Sequence, residues 1–391
     1  MASTGLSRRR VGGAATSSST TAADDDDVPT PRPVRSVSSN GSADASPIVP
    51  PTHAGSAFAG GSKIAFDPRD LEGANDDASR VGGKMPRLTI MEEVLLLGIK
   101  DKQGYLSFWN DNISYALRGC ILIELALRRR IALVKDPNRR RVPLSERLIE
   151  VIDDRQTGET ILDETLKMMK GQETEKMGIN SWIDLLSGET WNVMKIGYQL
   201  KQVRERLAKG LVDKGVLRTE KRNFLLFDMA THPVADARTK EGVVRRTVSL
   251  LTATTSAVPP AALDAEGVQC RTLRSVCLAC AAYTASVLDN AFARLTYEER
   301  EAAFQRCDDI LAEFAQWPFG NAAGTANGGA TAAGRRRQAS RIATGSANDY
   351  GRESVLGLLS EVRKESTGED DVGFELVAGV LEVLSKLDSL I

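Results

Sequence analysis

Apolar residues recur every three or four positions through most of the chain after about residue 84, a spacing that predicts amphipathic α-helices. The clearest repeat falls at every fourth residue and comprises Ile113, Leu117, Ile121 and Leu125. Asn110 or Asp111 can cap the start of that helix. An earlier helix is predicted to start at a capping box formed by Thr89 and Glu92 and to end near Gly98.

A longer helix is predicted from residue 191 to residue 213, with Gly215 suited to terminate it. Its apolar stripe comprises Leu200, Val203, Leu207 and Leu211. The segment 273–292 is apolar on nearly all sides, which predicts a central buried helix. Further helices are predicted at 161–169, 302–314 and 374–390.

Short apolar runs predict a small amount of β-structure. Two strands are predicted at residues 131–134 and 148–152, and a hairpin is predicted where the runs 216–218 and 224–227 flank a polar loop at 219–223. The run Phe224, Leu225, Leu226 and Phe227 does not alternate apolar with polar residues, so both of its faces must be buried or meet another molecule. The predicted fold class is therefore mainly α: a single globular helical domain around a buried central helix, with short β-hairpins at its edge.

Composition divides the chain into an arm and a folded domain. Residues 1–83 are rich in Ser, Ala, Gly and Pro and poor in large apolar side chains, which predicts a disordered N-terminal arm. This arm carries a basic cluster, Arg8, Arg9 and Arg10, and an acidic run at 24–27. Residues 84–391 are predicted to form the helical domain, with a disordered Gly/Ala/Ser-rich insert at about 320–350.

Charge and hydropathy restrict the classes of function. The formal net charge is −1 over 391 residues, so an anion can be bound only by a local basic patch. Near-neutral charge and few aromatic residues argue against the main alternative, a nucleic-acid-binding helical module. No apolar stretch reaches the roughly 18 residues that span a bilayer, and no signal peptide is expected because no apolar run follows the first arginines.

Catalytic and metal-binding motifs are not found in the sequence. The odd number of cysteines, five, indicates reduced thiols in the cytosol. Cys277 and Cys280, with Cys270, lie in an apolar segment far from both histidines, which favours buried thiols over a zinc site. No Gly-rich phosphate loop and no GxSxG motif is present, so neither catalytic residues nor a cofactor is predicted. A hydrolase with an unrecognised site is the third alternative.

Two blocks of the sequence place tryptophan and cations beside apolar helices. Trp109 lies nine residues before Arg118, and Lys201 and Arg204 are three residues apart, so they share one helix face. Two or three cations can bind a phosphomonoester, and a tryptophan can lie at a lipid–water boundary. A core tryptophan with solvated helix cations would give the same pattern, so the residues alone leave both interpretations open.

Six segments between residues 88 and 233 carry a resemblance to a known family: LTIMEEVLLLGIKD, SFWNDNIS, LRGCILIELALRRR, LLSGETWN, VRERLAKGLVDKGVL and TEKRNFLLFDMATHP. Together they resemble the Golgi phosphoprotein 3 family. The resemblance implies a non-enzymatic, cytosolic adaptor, peripheral on the cytoplasmic face of Golgi membranes, that binds phosphatidylinositol 4-phosphate. It also implies that such a protein links the cytosolic tails of glycosyltransferases to the retrograde vesicle coat, coatomer, and so retains those enzymes in the Golgi.

The same resemblance assigns candidate residues. Its phosphoinositide pocket matches Trp109, Arg118, Lys201 and Arg204, with lysine at 201 where some members have arginine. The resemblance also implies that an N-terminal arginine cluster binds the vesicle coat, and here that cluster comprises Arg8, Arg9 and Arg10. The run Phe224, Leu225, Leu226 and Phe227 implies a self-association or membrane-contacting hairpin, and therefore a homo-oligomer as a further partner. No nucleic-acid partner is implied.

Overall fold

The computed structural model of the chain describes residues 83–106, 112–190, 192–224, 227–320, 347–368 and 370–387. All of them belong to one compact unit, residues 60–391. The described part is mainly helical with two short antiparallel hairpins, which confirms the predicted fold class. None of its helices is both long enough and apolar enough to cross a bilayer.

The described residues contain eleven α-helices, four short β-strands and four 3-10 helices. The α-helices of the described residues are α1 (Ile90–Gly98), α2 (Asn112–Leu127), α3 (Thr160–Gly171), α4 (Ile179–Ser187), α5 (Val203–Asp213), α6 (Ala237–Leu251), α7 (Arg271–Thr284), α8 (Leu288–Ala291), α9 (Tyr297–Phe314), α10 (Ala347–Glu365) and α11 (Val372–Ser385). The strands β1 (Ile131–Leu133) and β2 (Ile149–Val151) form one hairpin, and β3 (Glu220–Phe224) and β4 (Phe227–Thr231) form the other. Short 3-10 helices cover Pro137–Arg141, Leu144–Glu146, Val193–Tyr198 and Pro260–Ala262.

The start of α1 is set by local hydrogen bonds. The Thr89 hydroxyl accepts from the Glu92 backbone N–H at 3.3 Å, and the Glu92 carboxylate accepts from the Thr89 backbone N–H at 2.9 Å. This reciprocal capping satisfies N–H groups that the first helical turn would otherwise leave without a partner. The predicted capping box is therefore confirmed, and α1 ends at Gly98 as predicted.

The core forms around α2 and α7, and most residues of both helices are buried. Gly119 lets α2 approach α11 closely, since a Cβ added there would lie 3.0 Å from Leu384 and 3.2 Å from Val380. The predicted central helix 273–292 is shorter than expected. It ends at Thr284, because Ser286 has a left-handed backbone (φ 53°) and α8 starts afresh beyond it.

Carboxylates inside this core are paired with arginines from distant parts of the chain. Arg274 of α7 donates to both oxygens of Glu124 in α2, at 2.9 and 3.0 Å. Burial alone would raise the pKa of Glu124, but Arg274 and Arg128 hold it well below its usual range. In the same way Arg129 donates to both oxygens of Asp371, at 2.5 and 2.8 Å, just before α11.

The predicted helix 191–213 is interrupted. Residues 193–198 form a 3-10 helix, and α5 begins only at Val203, because Gln202 has a left-handed backbone with φ of 52°. Residue 191 lies outside the described residues. The stripe predicted from Leu200 to Leu211 is nevertheless buried, and Gly215, with φ of +72°, follows the end of α5 as predicted.

The second hairpin differs in register from the prediction. The segment 219–223, predicted as a polar loop, largely forms strand β3, and Phe224 pairs with Phe227 where the two strands meet. Polar residues suit this strand because cross-strand polar pairs replace apolar alternation: the Asn223 amide donates to Asp228 at 3.0 Å. Residues 225 and 226 lie outside the described residues.

Two regions of the sequence prediction lie largely outside the described residues. They are the arm up to residue 82, with its acidic run, and the part of the predicted insert at 321–346. Helix α10 begins at Ala347, before the expected end of that insert at about residue 350.

Candidate anion-binding site

Arg118 of α2 joins two segments that are distant from it in sequence. Its side chain is almost fully buried, with 6% relative exposure for the residue. The guanidinium Nε donates to the Leu186 carbonyl at 3.3 Å, and Nη2 donates to the Leu200 carbonyl at 2.8 Å. Arg118 therefore connects the end of α4 with the residues that lead into α5.

The remaining described contacts of Arg118 are also neutral. Nη1 donates to the carbonyl and the hydroxyl oxygen of Ser114, both at 2.8 Å, one turn earlier in α2. Burial and, to a smaller extent, the nearby positive charge of Arg204 lower the pKa of Arg118 to about 10, while the charge of Glu189 opposes them. Arg118 is still charged at neutral pH, and its described hydrogen bonds go to neutral oxygens rather than to a carboxylate.

Two exposed cations lie at the start of α5, next to the end of this hydrogen-bonded segment. Lys201 directly follows Leu200, and Arg204 is the second residue of the helix. The prediction that they share one helix face is wrong, because Lys201 precedes the helix and Gln202 between them has a left-handed backbone. Among the described residues, neither side chain forms an ion pair. No side chain caps the N-terminus of α5. The positive end of the helix dipole and three cations thus occur together, an arrangement that favours a bound anion.

The arrangement suits the binding of a phosphorylated anion. A phosphomonoester carries close to two negative charges and several acceptor oxygens, which arginine and lysine donors can satisfy. In the part of the chain that the structure describes, no group of three or more His, Cys, Asp or Glu side chains is placed to hold a metal ion. The five cysteines are buried, and burial raises the pKa of Cys270 to about 11 and that of Cys280 to about 12.

The structure brings together three of the residues that the sequence assigned to the pocket. Arg118 contacts the residue before Lys201 and lies close enough to Arg204 for its pKa to respond. The fourth, Trp109, lies outside the described residues, as does the arm's arginine cluster, Arg8, Arg9 and Arg10. Of the run from Phe224 to Phe227 only the backbone of its two end residues is described.

Sequence reasoning did not identify the groups that hold Arg118 in place. Ser114 stands four residues before Arg118 in the same helix, so the helical period could have suggested that contact. The carbonyls of Leu186 and Leu200 are 68 and 82 residues away, and no local pattern marks them.

The sequence of this chain is similar to those of known proteins over most of its length. The sequence profile of the family Golgi phosphoprotein 3 (GPP34) matches residues 90–341. The "Vacuolar protein sorting-associated protein 74" of Schizosaccharomyces pombe is 51% identical over 330 residues, which cover 84% of this chain and 88% of that protein. The protein of the same name from Eremothecium gossypii is 48% identical over 329 residues, which cover 84% of this chain and 90% of that protein. The match in sequence extends over both segments that form the cationic site, and the chain belongs to the Golgi phosphoprotein 3 family.

Proposed function

We propose that the protein is a peripheral adaptor on the cytoplasmic face of Golgi membranes, without catalytic activity, that binds phosphatidylinositol 4-phosphate. Arg118, Lys201 and Arg204 bind the phosphorylated headgroup, and Trp109 contributes at the lipid–water boundary. The observation that supports this assignment best is the charge of Arg118, which is buried against neutral oxygens beside Arg204 and an uncapped helix N-terminus.

The three cations have different roles in this proposal. Lys201 and Arg204 are exposed, so their donors can reach a phosphate on the membrane surface. Arg118 uses most of its donors within the protein and acts chiefly by its charge and by holding residues 186–200 in place. A cation in a partly desolvated position attracts an anion more strongly than one in bulk water does, because the local dielectric screening is lower.

The adaptor function requires further contacts. In this proposal Arg8, Arg9 and Arg10 bind the vesicle coat, coatomer, another surface binds the cytosolic tails of glycosyltransferases, and the hairpin tip from Phe224 to Phe227 supports self-association or membrane contact. Membership of the family, and the name that the two relatives share, support a role in Golgi protein sorting. Several weak contacts on one membrane add through effective concentration, so none needs high affinity by itself.

Vesicle flotation with the variant Lys201→Ala/Arg204→Ala tests the lipid site. On vesicles of phosphatidylcholine with phosphatidylinositol 4-phosphate, the loss of two charge-assisted contacts should weaken binding at least about tenfold. The melting temperature should stay near that of the wild type, because both side chains are exposed. Lys209→Ala is the matched control, since Lys209 is an exposed lysine of the same helix, two turns from its start.

If the double variant floats with the vesicles as the wild type does, Lys201 and Arg204 do not bind the lipid headgroup. Binding of an RNA or DNA duplex that the same variant abolishes would favour the nucleic-acid alternative. Arg118→Ala is not a clean test by itself, because it also removes hydrogen bonds to Leu186 and Leu200 and should lower the melting temperature.

A further inference from the structure

The 3-10 helix Val193–Tyr198 exposes apolar side chains immediately before the cationic site. Val193 is 77% exposed, Met194 is 88% exposed and Ile196 is 49% exposed. Isolated exposed apolar residues are ordinary on protein surfaces, but three within four positions form a local apolar projection. Lys201 follows Ile196 by only five residues, so apolar and cationic groups occur in one short segment.

The base of this segment is fixed to the fold while its apolar side chains project. The Asn192 side chain accepts from the Met194 backbone N–H at 3.0 Å and caps the segment. Tyr198 packs edge-on against buried Trp182, with ring centroids 6.3 Å apart. Lys195 points back to the protein, where its Nζ lies 3.4 Å from a carboxylate oxygen of Glu175.

We propose that Val193, Met194 and Ile196 insert into the apolar region of an anionic bilayer while Lys201 and Arg204 contact its headgroups. This inference rests on the proposed function, because it needs the same membrane. It adds a contact that depends on apolar area rather than on the identity of the headgroup.

Charge and size favour a bilayer over another protein as the occupant. Lys201 and Arg204 form no ion pairs with described residues, so they complement an anionic lipid surface. Three projecting side chains supply much less than the roughly 800 Å² per partner that a stable protein interface buries. A bilayer needs no complementary groove, and amphipathic segments bind it through buried apolar area together with attraction to anionic lipids.

The double variant Val193→Ser/Met194→Ser tests the insertion directly. Flotation on vesicles containing phosphatidylserine, or phosphatidylinositol 4-phosphate, should weaken about tenfold or more, since burying one such side chain already changes an equilibrium by about that factor. Affinity for the soluble headgroup inositol 1,4-bisphosphate, measured by calorimetry, should be unchanged. Leu356→Ser is the matched control, because Leu356 is a 58% exposed apolar residue of α10.

A label at position 194 reports insertion independently. All five native cysteines are buried, so Met194→Cys adds one accessible thiol for a polarity-sensitive fluorophore. Anionic vesicles should shift its emission to the blue, and lipids with a nitroxide on the acyl chain should quench it. The same fluorophore on Leu356→Cys should show neither change.

The possible outcomes separate this inference from the proposed function. Equal vesicle binding by the serine variant and the wild type, or an unchanged emission from the label at 194, overturns the insertion. A lower solution mass of the serine variant with normal vesicle binding also overturns it, because the segment then joins two copies of the chain. Failure of the wild type to bind inositol 1,4-bisphosphate, together with a blue shift of the label, removes the headgroup site and leaves the insertion standing.

Discussion

Arg118 combines burial with a retained charge, and each property has its own cause. Its carbonyl partners replace part of the lost hydration, which keeps the guanidinium protonated at neutral pH although burial lowers its pKa to about 10. From the sequence, Arg118 could be identified as a candidate only because the segments around it resemble those of the Golgi phosphoprotein 3 family. Its partners Leu186 and Leu200 follow from the tertiary fold, which local spacing does not encode.

Glu93 of α1 predicts a measurable pH dependence of stability. Burial raises its pKa to about 7, although its ion pair with Arg246 opposes this. Between about pH 4.5, the usual value, and pH 7 the folded state holds a proton that the unfolded state has lost, so stability falls as pH rises. Relative to Glu93→Gln, the wild type should lose up to about 1.4 kcal/mol per pH unit in this window.

Urea denaturation of both proteins across this pH range provides the measurement. In the difference between the two proteins, the contributions of groups that titrate equally in both cancel. Asp264 is an exception, because its charge also raises the pKa of Glu93 and its own titration changes when Glu93 is replaced. Parallel stability curves for the wild type and the variant would show that Glu93 is already ionised in the folded state below pH 7.

Among the helices, the sequence predicted well those that local rules define. Thr89 and Glu92 start α1 through hydrogen bonds three residues apart, and the four-residue repeat from Ile113 identified α2. The break at Gln202 was not predicted because the apolar stripe continues across it. In the structure Gln202 has a left-handed backbone, and Leu200 just before it accepts a hydrogen bond from Arg118, a contact that local spacing does not show. The spacing of apolar residues predicts which face of a segment is buried more reliably than it predicts whether the helix is continuous.

Three helices were not predicted: α4, α6 and α10, of which α10 begins within the expected insert. Helix α4 has only nine residues, fewer than the window of about 11–18 residues over which a helical period can be recognised. Helix α6 is preceded by Asp236, whose carboxylate accepts from the N–H groups of Arg238 and Thr239 at 3.0 and 3.2 Å. That capping residue was a usable signal, but the many charged residues of α6 obscured its apolar face.

Gly119 and Gly242 form a matched pair for testing helix packing. A Cβ at Gly242 in α6 meets nothing within 4 Å, so Gly242→Ala should stabilise the protein by about 0.5–1 kcal/mol. Gly119→Ala should gain less, because Leu384 and Val380 must move, and Gly119→Val should destabilise by about 1–3 kcal/mol. Chemical denaturation gives these values. Wild-type stability of Gly119→Val would mean that α2 and α11 are less closely packed than described.

At the scale of the whole molecule, the proposed adaptor uses the folded domain for the lipid and the arm for the vesicle coat. Changing Arg8, Arg9 and Arg10 to Ala should abolish pull-down of the vesicle coat, since arginine forks suit carboxylates on an acidic partner. Flotation on phosphatidylinositol 4-phosphate vesicles should persist, because Lys201 and Arg204 are unchanged. Binding of the wild type to the coat should also weaken as salt rises. Retained coat binding by the triple variant would place that contact elsewhere.

The ion pairs between the residues that follow α2 and the start of α11 have a consequence for the synthesis of the chain. Arg129 and its partner Asp371 are 242 residues apart, and Arg147 and its partner Glu375 are 228 apart. At about 5–20 residues per second, a ribosome needs roughly 10 to 50 seconds to add the intervening chain. During that time the face of α2 around Gly119 and these arginines have no α11 to pack against. The nascent protein therefore exposes this apolar and cationic surface to solvent until its last helix has emerged.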